Sequence, residues 1–150
     1  INDEAICVAA ISMFAKIGVT VNLDAKTKSQ HFSEVKEGDA NGMTSDMYML
    51  GWGVPTFDSH YVYSYLFESS GSWNKVNFNN ARVDELVAAM GVETDLDKRN
   101  AMIAEAWDIT QDDVTYLPLH HQVVNQASKG NVDVPIRMNN EPLFRFANVN

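Results

Sequence analysis

The apolar run Asp46–Trp52 stops at Gly51-Trp52-Gly53 and gives way to Pro55. Nearly continuous apolar residues suit a strand buried on both faces, and glycine followed by proline ends such a strand. The stretch YMLGWGVPTFDSHYVYSYLF, Tyr48–Phe67, is dense in aromatics and holds one acid, Asp58. The chain must therefore bury a strand and then release an aromatic, glycine-flanked segment at its end. Irregular backbone at the end of a strand is where α/β proteins bind small molecules. The segment suits a ligand surface better than a catalytic triad.

The rest of the chain alternates around that strand. Asn2-Asp3-Glu4 opens a helix with a cap and first-turn acids, and Ile6, Ala10, Met13 and Ile17 recur at helical spacing until Gly18 stops it. Val19–Ala25 alternates as a half-buried strand. Ser29 caps a short helix to about Lys36, with Phe32 and Val35 inward. Glu37–Ser45 is an exposed loop by composition. Beyond the aromatic segment and the loop Glu68–Asn77, Asn79 or Asn80 caps a helix whose stripe is Val83, Leu86, Val87 and Met90, ended by Gly91. Thr94 or Asp95 begins the longest helix, which has Met102, Ile103, Ala106, Ile109 and Thr110 on one face and ends near Asp113. Tyr116–Val124 reads as an apolar strand broken by Pro118. Asn125–Asn150 loses helical periodicity and ends in the alternating Leu143–Ala147, so a boundary falls near Val123–Gln126. Helix, strand, helix, strand in that order predicts an α/β layer. The opening helix lacks a preceding strand and the tail lacks partners for its short strands, as expected of a segment cut from a larger protein.

Composition narrows the function. The 150 residues suffice for a core, and 45% apolar content describes an ordinary globule. No run approaches the roughly 18 apolar residues of a membrane span. A net charge of −9 and no basic face disfavour nucleic acid. Cys7 is the one cysteine, so neither an intrachain disulfide nor a cysteine zinc site is available.

Few residues carry a signature of chemistry. His120-His121 would point to opposite faces of a strand, and no HxxxH or HExxH spacing exists. Asp112-Asp113 and Asp95/Asp97 sit near helix ends, where acids are solvated or serve as caps. Ser69-Ser70-Gly71-Ser72 is no nucleophile elbow, and Gly51-Trp52-Gly53 continues into no phosphate loop. Trp52 either packs in the core or lies flat on a ligand, since flanking glycines permit close approach. Asp58 either meets a ligand cation or caps the segment after Pro55. Tyr61, Tyr63 and Tyr65 alternate and line one side if that segment is extended; if it is helical instead, Tyr61 and Tyr65 share a face. Trp73, in a polar loop, is a candidate ligand or domain contact. No catalytic residue, metal site or cofactor is expected. The alternatives to solute binding are a hydrolase using His120 or His121 with Asp58, and an interaction module with an acidic surface.

Four segments in series resemble one family: NDEAICVAAISMFAKIGVTVNLD, YMLGWGVPTFDSHYVYSYLF, FNNARVDELVAAM and DKRNAMIAEAWDITQDDVTYLPLHH. The family is the solute-binding proteins of ABC transporters of the dipeptide-, oligopeptide- and nickel-binding type. The first segment is similar to its helix-Gly-strand element and the second to its Trp-containing strand and loop. The third resembles its Asn-capped helix and the fourth its following helix and strand. Together they cover essentially the whole chain, in the family's order.

The resemblance implies an α/β fold: lobe II of a two-lobed, type II-like periplasmic binding protein, of which this chain is the C-terminal part. Residues 1–122 would lie in lobe II. Residues 123–150 would form a hinge strand and return to lobe I. The implied function is capture of peptides or a related small solute for delivery to an ABC permease, without catalysis. Its implied place is the bacterial periplasm, or a lipid anchor outside the membrane. The missing N-terminal part of the same protein would be a partner. Trp52, Gly53, Val54, Pro55 and Asp58 are the implied solute-binding residues. Peptide binders of the family often carry an acid three residues after the strand Trp, to hold the α-amino group; here Pro55 stands there, and Asp58 falls where some relatives carry an acid.

Overall fold

A computed structural model describes residues 3–37 and 45–150. Its helices are α1 (Asp3–Lys16), α2 (Lys28–Glu37), α3 (Ser59–Val62), α4 (Ala81–Met90) and α5 (Leu96–Asp113). A π-helical turn, Tyr63–Phe67, continues α3. Two short strands, β1 (Val132–Asp133) and β2 (Asn148–Val149), lie near the C-terminus. The expected loop Glu37–Ser45 falls, over residues 38–44, outside the described residues.

The two central helices follow from their caps and stripes. Asn80 accepts hydrogen bonds from the amides of Arg82 and Val83 and so caps α4; Val83, Leu86, Val87 and Met90 are buried on one face. Asp95 accepts from the amides of Asp97 and Lys98 and caps α5. Ala106 and Thr110 of α5 are buried, and Met102, Ile103 and Ile109 pack around them. Tyr63, Leu66 and Phe67 of the π turn, with Phe78, complete the core. The Thr110 hydroxyl donates back to the Ala106 carbonyl at 2.9 Å, which satisfies a polar group buried in that core.

The first two helices differ in detail from their expected pattern. On α1 the half-buried residues are Ile6, Cys7, Ala10, Ile11 and Phe14, whereas Met13 and Ile17 are exposed. The helix is rolled toward Cys7, whose thiol lies 3.8 Å from the Met49 sulfur. Gly18, at φ +80°, ends it as expected, in a left-handed conformation that glycine adopts without strain. Helix α2 is capped by Thr27 rather than Ser29. The Gln30 amide donates to the Thr27 hydroxyl at 3.4 Å and the Thr27 amide to Gln30 Oε1 at 3.2 Å, a reciprocal capping box. Val35 is buried on its inner face.

Among the described residues the sheet consists of β1 and β2 alone, paired antiparallel with Val132 opposite Val149 and Asp133 opposite Asn148. The tail therefore supplies its own strand partner. The expected strand Leu143–Ala147 is instead interrupted by a 3₁₀ turn, Phe144–Phe146. Val19–Ala25, Asp46–Trp52 and Tyr116–Val124 are non-helical but joined by no ladder among the described residues. Alternation marks segments that can pair; pairing itself needs a neighbouring strand. From Leu117 to Asn131 every residue is exposed.

Candidate functional site

Trp52 stands at the centre of an aromatic nest. Its ring centroid lies 5.9 Å from Tyr61, 6.1 Å from Tyr65 and 5.8 Å from Trp73. Tyr61 and Tyr65 are one turn apart on α3 and the π turn, and their rings stack at 4.5 Å. Helical spacing thus puts both on one face, the face turned to Trp52. Phe32 of α2 meets Trp73 edge-on at 6.4 Å. Aromatic pairs in this distance range attract beyond the area they bury. Trp52 is half-buried, and its indole nitrogen has no hydrogen-bond partner among the described residues. Gly51 and Gly53 are exposed, and a Cβ added at either would meet open space, so the main chain before and after Trp52 is accessible to a molecule.

Trp73 reaches the nest because the loop after the π turn folds back. Its amide donates to the Tyr65 carbonyl at 3.0 Å, and the Gly71 amide donates to the Glu68 carbonyl at 2.7 Å. Asn74 stitches the loop shut: its side-chain amide donates to the carbonyls of Glu68 and Phe78, and its Oδ1 accepts from the Phe78 amide. A Cβ on Gly71 would lie 2.7 Å from the Tyr65 carbonyl oxygen, so only glycine fits there.

The residues after Trp52 turn the chain away from the nest. The Phe57 amide donates to the Val54 carbonyl at 3.1 Å, closing a turn in which Pro55 holds the second position. Val54 is half-buried; Gly53 and Pro55 are exposed. Asp58 then caps α3, accepting from the His60 amide at 2.8 Å. The same oxygen pairs with Arg99 Nη2 of α5 at 2.8 Å. The Arg99 guanidinium hydrogen-bonded to it holds the Asp58 carboxyl below the usual carboxylate range. Trp52, Tyr61 and Tyr65 are therefore brought together, whereas the carboxylate of Asp58 is engaged by α3 and α5. His120 and His121 are exposed in the unladdered segment, and neither is among the partners of Asp58.

Arg99 was not singled out from the sequence. An Arg in an exposed-looking helical turn carries no local mark of a partner 41 residues earlier. Among the described residues no group of three or more His, Cys, Asp and Glu side chains is placed to hold a metal ion. A separate groove of about 330 Å³ lies between α3 and α5, lined among others by Val62, Phe67, Ile103 and Trp107. It shares no lining residue with the nest.

The chain is similar to the nickel-binding protein NikA of Staphylococcus aureus (strain NCTC 8325 / PS 47), 25% identical over 124 residues. The match covers 77% of this chain and 25% of that protein. The chain thus spans about a quarter of the length of that relative. No family model matches the chain, and no solved structure matches it.

Proposed function

We propose that this chain is part of the solute-binding component of an ABC importer, and that it captures a peptide or a related small organic solute for a membrane permease. The observation that carries the reading is the nest: an indole flanked by two open glycines and backed by Tyr61, Tyr65 and Trp73. Ring faces bind the body of an organic solute by dispersion and stacking, and exposed main chain beside Gly51 and Gly53 can hydrogen-bond a peptide-like backbone. The likeness to a binding protein named for nickel supports the class. The aromatic lining favours an organic body over a bare ion, which asks for converging nitrogen, oxygen or sulfur donors.

In this reading residues 1–122 form lobe II of a two-lobed α/β protein, and residues 123–150 form a hinge strand and a return to lobe I. The unladdered segments Val19–Ala25, Asp46–Trp52 and Tyr116–Val124 are the strands that would join a sheet in the longer protein. The remaining part of that protein supplies the opposite wall, and closure of the lobes commits the solute to the permease. The location is the periplasm, or a lipid anchor outside the membrane. Pro55 stands where an ammonium-clamping acid would be, and Asp58 is engaged by Arg99. The solute is therefore held chiefly by its body and backbone.

The hydrolase alternative gains no support from the site, since Asp58 is bonded to Arg99 and His60 rather than to His120 or His121. Native mass spectrometry of the intact protein, purified without refolding, tests the proposal. The expected result is a non-covalent added mass matching a short peptide or similar organic molecule. Cleaved products on incubation with mixed peptides would instead establish an enzyme.

A further inference from the structure

Arg99 makes two directed bonds from one fork. Nη2 donates to Asp58 Oδ1 at 2.8 Å, and Nε donates to the carbonyl of Met90, the last residue of α4, at 2.8 Å. Its side chain is only 19% exposed. Asp58 Oδ1 also accepts the His60 amide, so a single carboxylate oxygen both caps α3 and receives Arg99. Helix α3 and the π turn that continues it run only from Ser59 to Phe67, shorter than the roughly 12–15 residues at which an isolated helix becomes even marginally stable in water. Its start is set by Asp58, and Tyr61 and Tyr65 follow from that start.

We propose that Arg99 is a positioning residue for the Trp52 surface: its fork ties the start of α3 to the end of α4 and thereby holds Tyr61 and Tyr65 against the indole. The proposal rests on the reading of Trp52 as a solute contact. The planar guanidinium suits two simultaneous, differently directed bonds, and the point charge of a lysine does not. The hydrogen bonds of Arg99 go to Asp58 and to Met90; it acts on the nest through Asp58.

The test uses Arg99→Met, Arg99→Lys and Asp58→Asn in the intact protein. Asparagine keeps the cap acceptor and removes the charge pair. Circular dichroism in the near-ultraviolet reports the coupled Trp and Tyr rings, and the far-ultraviolet reports helix. The expected result is an altered aromatic signal of the same kind in all three variants, with the helical signal retained, and no further change in the double variant Arg99→Met/Asp58→Asn. A merely structural brace would lower Tm and leave the aromatic signal of the folded protein unchanged; that result would overturn the proposal. If Arg99→Met does not fold, Arg99→Lys and Asp58→Asn decide it by the same readout.

A second arm titrates the intact protein with trialanine. The expected Kd for Asp58→Asn is roughly tenfold higher than for the parent. An unchanged Kd in Asp58→Asn, with a raised Kd in Trp52→Ala, overturns the positioning role alone. An unchanged Kd in both variants, or no binding by the parent, overturns the reading of Trp52 as a peptide contact and leaves the dichroism result to judge Arg99.

Discussion

The indole of Trp73 meets that of Trp52 edge to face, with centroids 5.8 Å apart and planes at 68°. One ring ends a predicted strand and the other sits in a polar loop, so the contact joins two segments that look unrelated. It is made possible by a π turn that lets Tyr65 both accept the Trp73 amide and lean on Trp52. Single π turns of this kind are frequent at functional sites.

Gly71 is what lets the loop close. A methyl group there would press on two carbonyl oxygens, at 2.7 Å from Tyr65 and 2.9 Å from Glu68, and backbone cannot yield as a flexible side chain can. Gly71→Ala is expected to cost about 1–3 kcal/mol of stability and to shift the Trp emission as Trp73 leaves Trp52. Denaturant titration followed by fluorescence checks both.

The Asp58–Arg99 pair has a defined pH dependence. Arg99 lowers the folded-state pKa of Asp58, so its stabilisation is complete above the ordinary carboxylate pKa. It is lost as pH falls through the lowered folded value. Asp58 is 39% exposed, so solvent and salt screen the pair and the effect is small. Thermal melts from neutral to acid pH are expected to show Asp58→Asn less stable than the parent at neutral pH, with the gap closing as the parent's carboxylate protonates.

Val114 ends α5 in the left-handed region, at φ 58°. A β-branched residue is strained there, and glycine is not. Because the side chain is exposed, little packing is lost on its removal. Val114→Gly is expected to stabilise the chain by about 1 kcal/mol, read as a higher denaturation midpoint with an unchanged slope.

Leu86 of α4 is 2% exposed, within the core cluster. Leu86→Ala removes buried methyl groups and leaves a cavity, at a cost of about 2–5 kcal/mol. Urea unfolding is expected to show the loss in the midpoint.

The helices that pack on each other were legible because each carries its own instructions. Asn80 and Asp95 cap, Val83 to Met90 form a stripe, and Gly18 stops α1. The face shared by Tyr61 and Tyr65 was legible on the condition that their segment is helical, which it is. Strand pairing was less so: alternation in Val19–Ala25 or Tyr116–Val124 says which face is apolar, but a ladder depends on a neighbour that local sequence does not name. The same holds for Trp73 and Arg99. Their roles come from contacts across 21 and 41 residues, set by a loop closure and by the packing of α5 on α4 and the core, which brings Arg99 to Asp58. Met13 and Ile17 kept the helical period yet face solvent, because the helix rolled toward the Cys7–Met49 contact.

Whether Trp52 anchors a solute is decided by calorimetric titration of the intact protein and its Trp52→Ala variant with trialanine. An anchor at that position gives binding weakened by about 2 kcal/mol or more, the usual loss on truncating a buried aromatic anchor, in a variant that remains folded. Superimposable titration curves for the two proteins would contradict it.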